Sequence, residues 1–201
     1  MKTINKGIIT AAILGASAFA ASAAQASDGT VTINGQVVAQ TCVIDINGQG
    51  ANPTVTLPTV QTSALPSVGK VAGRTGFTMS LSGCATTAPT GAGSGNVRAF
   101  FEQGPNVDPT TGFLINRAPT TLAANVQVGI VNASDAVSVQ GLNLNAPAAT
   151  QGETNVAIAA TGPTLLNYAA QYVVAGGTSS ATIGASAGGV STSVTYALHF
   201  N

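Results

Sequence analysis

The chain has 201 residues, with six basic and six acidic side chains and no Trp. Setting aside Lys2 and Lys6, which belong to an N-terminal leader, leaves four basic residues against six acids, a net charge of −2. Charges so few and so scattered cannot build the basic stripe that nucleic-acid or anionic-membrane binding requires, which excludes both partners. The chain is rich in Thr, Val, Ala, Gly, Ser and Asn and poor in Lys, Glu and Leu, a balance that favours an all-β sandwich or barrel. Low charge also removes much of the self-repulsion that keeps proteins apart, so the surface suits self-association.

Residues 1–26 have the three parts of a secretory signal: Lys2 and Lys6, an apolar run from Gly7 to Ala21, and an A-x-A site at Ala24-Gln25-Ala26. The run is too short for a bilayer span of about 20 residues, so export is expected rather than an N-terminal anchor. Cleavage is placed after Ala26, with Ala24 as the alternative. Cutting after Ala26 leaves 175 residues from Ser27, which suits one domain with a real core.

From Gly29 the chain alternates with a period of two. Gly29, Val31, Ile33, Gly35 and Val37 share one face, and Thr30, Thr32, Asn34 and Gln36 share the other. This predicts an extended strand whose apolar face is interrupted by glycines and which runs on toward Cys42, Ile44 and Ile46. Val55 and Leu57 continue the strand signal between Pro53 and Pro58, whose missing donors mark an edge.

Arg74 to Cys84 places Phe77, Met79 and Leu81 on one face and delivers Cys84 near Cys42. These are the two cysteines of the chain, and an oxidising compartment would join them. Two thiols without a nearby His or a second Cys pair make a poor metal site, so a structural disulfide is expected. A closed loop of that size is worth about 4 kcal/mol in the chain-entropy model.

Ala85 to Gly95 reads as a Gly, Thr and Pro loop, followed by a short strand from Val97 to Phe101. Asn125 to Val131 alternates Val126, Val128 and Ile130. Weaker strands are predicted near Val137 to Val139 and Val156 to Ile158, and a stronger one over Asn167 to Val174. Val190 to Asn201 alternates again, with Val190, Thr192, Val194, Tyr196, Leu198 and Phe200 in one row. At least seven short strands separated by turns match an immunoglobulin-like sandwich.

The inventory for catalysis is thin. His199 falls out of step with the apolar row and is expected to be a surface or interstrand histidine. Asp28, Asp45, Glu102, Asp108, Asp135 and Glu153 sit on separate turns or strand ends, solvated, with no pair spaced for acid and base roles. Gly91, Gly93 and Gly95 lack the Lys and helix of a phosphate loop. No enzymatic activity, cofactor or metal is expected.

These features in this order resemble the major structural subunits of chaperone–usher pili, the type 1 fimbrial family. The resemblance covers nearly the whole mature chain. It rests on Gly29 to Gly35 (GTVTING), Cys42, Ser82-Gly83-Cys84, Asn125 to Ile130 (NVQVGI), Ala170-Gln171-Tyr172 and above all the C-terminus. There the alternating row ends on a penultimate aromatic, Phe200, with Gly188 standing 14 places from the end. The family more often has Tyr at the penultimate place; Phe keeps the ring and loses the hydroxyl.

The resemblance implies a pilin fold: an immunoglobulin-like sandwich that lacks its G strand and is completed by a donated one. It divides the chain into a signal peptide (1–26), a donor extension (27–34) and a pilin domain (35–201). The implied partners are neighbouring copies in a homopolymer, a periplasmic chaperone, an outer-membrane usher and other pilus subunits. The product would be a surface filament used in adhesion and biofilm formation.

The period of two then gives a register for the donated strand, in which Val31 and Ile33 insert and Gly29 and Gly35 sit where space is tight. The chaperone and acceptor surface implied by the family is Gly188, Val190, Val194, Tyr196, Leu198 and Phe200. The alternatives are a minor adaptor, a carbohydrate-binding tip adhesin or another secreted sandwich lectin. A tip adhesin would need an extra receptor domain, for which 175 residues leave no room.

Overall fold

Alternation of apolar and polar residues decides where the strands of this protein lie. The computed structural model describes residues 42–84, 95–135, 141–148, 150–175 and 183–200, all within the unit Ala39–Asn201. The expected signal segment, the strand from Gly29 to Val37, most of the Ala85 to Gly95 loop and the strand near Val137 to Val139 lie outside the described residues. Among the described residues no helix is long and apolar enough to cross a membrane.

The strands in chain order are β1 (Val43–Ile46), β2 (Val71–Ser82), β3 (Asn96–Phe101), β4 (Leu114–Ile115), β5 (Gln127–Asn132), β6 (Val156–Ala157), β7 (Thr164–Val173) and β8 (Tyr196–Phe200). They form two antiparallel sheets, one in the order β1-β2-β7-β5-β4 and the other β6-β3-β8. The inward residues of both meet in one core. Phe77, Met79 and Leu81 of β2 and Leu166, Tyr168 and Ala170 of β7 pack with Val97, Ala99 and Phe101 of β3. Each large side chain buried there contributes about 1.5 to 3 kcal/mol. Of the all-β sandwich or barrel favoured by composition, the two-sheet sandwich is what forms.

The β1–β2 register sets Val43 opposite Ser82, so the residues flanking the pair meet. Cys42 and Cys84 are joined as a disulfide with Cα atoms 4.4 Å apart. The bond ties the start of β1 to the end of β2.

β2 carries an irregularity between Ala72 and Thr75, at Gly73, whose φ is +65°. A Cβ there would stand 2.8 Å from the Tyr172 ring. Glycine meets both demands at once.

Two expected strands behave differently from the reading of the sequence. Pro53, Val55 and Leu57 alternate half-buried with exposed neighbours, but the segment makes no ladder. Prolines at 53 and 58 cannot donate, and among the described residues no strand is paired with it. The C-terminal segment keeps its alternation from Val190, yet the regular ladder begins only at Tyr196. β3 ends at Phe101, so Ser191, Ser193 and Thr195 find partners outside the strands instead. Their carbonyls accept from the Arg117 N–H, the Asn106 side chain and the Glu102 N–H, respectively.

The far edge of β3 is closed by side chains. β6 pairs only with Asn96 and Val97. Beyond it the Ala99 N–H donates to the Tyr168 hydroxyl at 3.3 Å. The Phe101 N–H donates to Gln151 Oε1 at 3.2 Å, and Gln151 Nε2 donates to the Phe101 carbonyl at 2.6 Å. Gln151 is 2% exposed, so its amide replaces a strand partner in a place water cannot reach. Gln151→Leu would strand both Phe101 groups, costing about 1 to 3 kcal/mol for each. A fall in the denaturant midpoint without loss of the disulfide is the expected result.

Candidate functional site

β8 pairs with β3 on one edge and, among the described residues, has no ladder partner on the other. The outward N–H of Ala99 and Phe101 fixes the phase of that ladder. Arg98 with His199 and Phe100 with Ala197 must be the hydrogen-bonded pairs, because bonded and non-bonded pairs alternate. The backbone groups of Tyr196, Leu198 and Phe200 therefore point to the open edge. Their side chains share the face of Phe101, Ala99 and Val97 and point to the core. The same phase continues through Val194, Thr192 and Val190, because Ser191, Ser193 and Thr195 use their carbonyls on the inner side.

Beneath this edge lies a groove of about 660 Å³. One wall is residues 51–57, the other is Val190 to Val194 with Tyr196, and the floor includes Phe77, Met79, Phe101, Leu114, Val128 and Ile130. Val190, Val194, Tyr196, Leu198 and Phe200 all pack against the main core while remaining only partly buried. A core residue covered on every side is not left like this. The Tyr196 hydroxyl reaches from one wall to the other, donating to the Ala51 carbonyl at 2.8 Å. Burial pushes the Tyr196 phenol above its ordinary value.

Of the six C-terminal residues singled out in the sequence, the structure thus packs five against the main core, and three of these, Val190, Val194 and Tyr196, line the groove. Gly188 stands apart from them. A Cβ there would lie 2.4 Å from the Ala123 nitrogen and the Thr121 oxygen, so it is a close-approach glycine where the chain crosses Thr121 to Ala123. The next residue ties the crossing: the Gly189 N–H donates to Thr121, and its carbonyl accepts from Ala123. Gly29, Val31, Ile33 and Gly35 lie outside the described residues.

Three features of the groove were missed in the sequence. The wall at 51–57 looked like an edge strand, and the Tyr196 to Ala51 bond spans 145 positions. The third is Thr192, whose hydroxyl oxygen is buried and, among the described residues, has no hydrogen-bond partner. Its place in the apolar row was visible; its lack of a partner was not.

The titratable groups are spread apart, and among the described residues no three His, Cys, Asp or Glu side chains stand together. His199 stacks beside Phe100 with ring centroids 5.1 Å apart and faces Arg98 across the ladder. Burial is the largest single influence on the Asp108 carboxyl and raises it, but hydrogen bonds from Thr110, Gln127 and Thr111 together outweigh it and hold the carboxyl below its usual value. Glu153 departs from the expectation of a solvated acid. It is half-buried, and burial raises its carboxyl despite Arg98 nearby.

The model of the family described as Type-1 fimbrial protein, A, matches residues 57–201. The F17 fimbrial protein of Escherichia coli is 43% identical over 189 residues, spanning 94% of this chain and 96% of that protein. The major fimbrial subunit SMF-1 of Stenotrophomonas maltophilia is 38% identical over 182 residues, spanning 89% and 96%. Among solved structures, a chaperone–usher pilus chain aligns with a TM-score of 0.56 at 22% identity, covering 87% of this chain and 96% of its own. The P pilus rod subunit aligns at 0.54 and 19% identity, covering 79% and 99%. At such identities these likenesses bear on the fold, which is the incomplete immunoglobulin-like sandwich of pilins. With its fold, its open-edged C-terminal strand and relatives above 35% identity over most of their length, the chain belongs to the type-1 fimbrial protein family and is a structural subunit of a cell-surface pilus.

Proposed function

We propose that the groove beside β8 is filled by the N-terminal strand of a neighbouring copy, so that the subunits polymerise by donor-strand exchange. The observation that carries this reading is the open edge of β8, where backbone groups with no ladder partner among the described residues stand beside a half-covered apolar row. Exposed edges of this kind template strand addition unless they are covered, and adding a strand to an edge is the general mode of β-augmentation. In this reading a periplasmic chaperone supplies the strand first and an outer-membrane usher exchanges it for the next subunit's strand. The relatives are named as major or rod subunits, which favours a shaft subunit over a tip adhesin.

The chain's own N-terminal segment suits the groove. Val31 and Ile33 would insert while Thr30, Thr32 and Asn34 face outward. Burying Val31 and Ile33 contributes about 1.5 to 3 kcal/mol each, and each ladder hydrogen bond adds about 0.5 to 1.5 kcal/mol. A joint built this way dissociates slowly.

Export precedes assembly. Sequencing the N-terminus of filament protein is expected to begin at Ser27, with Gln25 as the start if cleavage follows Ala24; Met1 at that position would refute a cleaved signal. Ile33→Asp places a charge in the groove and is expected to leave a subunit that folds with its chaperone but forms no filament. Normal filaments by negative-stain microscopy would count against this register. Deleting Tyr196 to Asn201 removes β8, and with it the edge a chaperone would pair with. Loss of the chaperone in a pull-down is expected; undiminished capture would overturn the role given to β8.

A further inference from the structure

The two walls of the groove are held in different ways. The wall from Val190 to Tyr196 leads into β8, which is laddered to β3. The wall at 51–57 has no ladder partner among the described residues, and Val55 and Leu57 attach it to the core by apolar packing. Such packing is non-directional, so it keeps a segment down on the core without fixing where its backbone stands. Two side chains supply the direction. At the start of this wall the Tyr196 hydroxyl donates to the Ala51 carbonyl at 2.8 Å. In its middle Gln49 treats Thr54 as a neighbouring strand would: Oε1 accepts from the Thr54 N–H at 3.2 Å, and Nε2 donates to the Thr54 carbonyl at 3.4 Å. We propose that Tyr196 and Gln49 are positioning residues for the joint between subunits, holding the 51–57 wall at the spacing an incoming strand needs. The proposal rests on the groove being the site of strand donation.

The two residues act on different sides of the wall. Gln49 is exposed and does not line the groove, so it engages Thr54 on the side away from the groove. The amide thereby closes the outer edge of a segment whose prolines and missing ladder leave it otherwise unsupported. The protein uses the same device at the far edge of β3, where Gln151 brackets the N–H and carbonyl of Phe101. Tyr196 works across the groove. A strand lying between two others stands about 4.8 Å from each, so the walls on either side of it have to be roughly 10 Å apart. Phenylalanine would fill the same space as Tyr196 but could not tie the opposite wall. Burial holds the phenol above its ordinary value, so the hydroxyl keeps its proton, and its role as a donor, at neutral pH.

The test uses the mature chain from Ser27 carrying Ile33→Asp, so that its own strand is disabled, refolded with a labelled synthetic peptide of residues Ser27 to Val38. Release of the peptide is followed by dilution, and unfolding of the same filled subunits in denaturant is the control. Tyr196→Phe keeps the ring and removes the donor; Gln49→Leu keeps the bulk and removes both bonds to Thr54. Each is expected to quicken release roughly two- to tenfold while changing the unfolding rate by less than about twofold, because the wall yields without the fold opening. Since both residues fix one segment, the double variant should fall short of the product of the two single effects. Release unchanged in both variants, or quickened only in step with unfolding, overturns the proposal and leaves the groove reading intact. Fully multiplicative effects overturn the claim that the two act on one wall. If the parent retains no peptide at all, the groove reading itself fails, and the proposal with it.

Discussion

In the ladder between β3 and β8, Arg98 with His199 and Phe100 with Ala197 use the bonded positions, and that phase leaves Tyr196, Leu198 and Phe200 no choice. Their N–H and C=O groups must face away from β3, while their side chains must face the core. One alternation therefore puts a row of unpaired polar groups and a row of half-covered apolar side chains along the same line. Water can serve the first row but not the second; another protein layer alone would serve the second but not the first. A strand is the one element that serves both, and this is the ground for proposing that a strand is what fills the groove.

The two edges of the smaller sheet are treated in opposite ways. On the β6 side, where the ladder stops after Val97, the protein supplies a buried phenol and a buried amide to satisfy Ala99 and Phe101. Tyr168 also packs edge-on against Phe101 at 5.2 Å, so the group that closes the edge is part of the core. Polar groups built into a core are costly unless fully paired, and here they are paired to backbone. No comparable side chain covers the backbone of Tyr196 to Phe200 among the described residues. An edge closed at such cost beside one left uncovered argues that the second is kept open for an incoming strand.

How much of this was legible in the sequence depends on how many faces of a strand are buried. β2 and β3 have one buried face, so Phe77, Met79 and Leu81, and Val97, Ala99 and Phe101, announce themselves with a period of two. β5 and the second half of β7 are buried on both faces, which blurs the alternation and makes their bounds harder to place. β4 has two residues, too few for any pattern. The segment around Val55 and Leu57 has the pattern of a strand without the ladder, because periodicity reports burial and not hydrogen bonding. Gln151 has no local signal whatever: its role depends on Phe101, 50 positions away. The C-terminal row was legible because its apolar members stand at every second position, and its incompleteness was legible only through family resemblance.

Ladder hydrogen bonds are made by any backbone, so along the open edge they contribute affinity without telling one strand, or one register, from another. With only six basic and six acidic side chains in 201 residues, long-range charge cannot supply the discrimination either. It has to come from the inward row. Apolar pockets discriminate between similar residues at about 1 to 3 kcal/mol per methylene. Under the proposed strand donation, the discrimination between registers would therefore rest on how large and small residues alternate along that row.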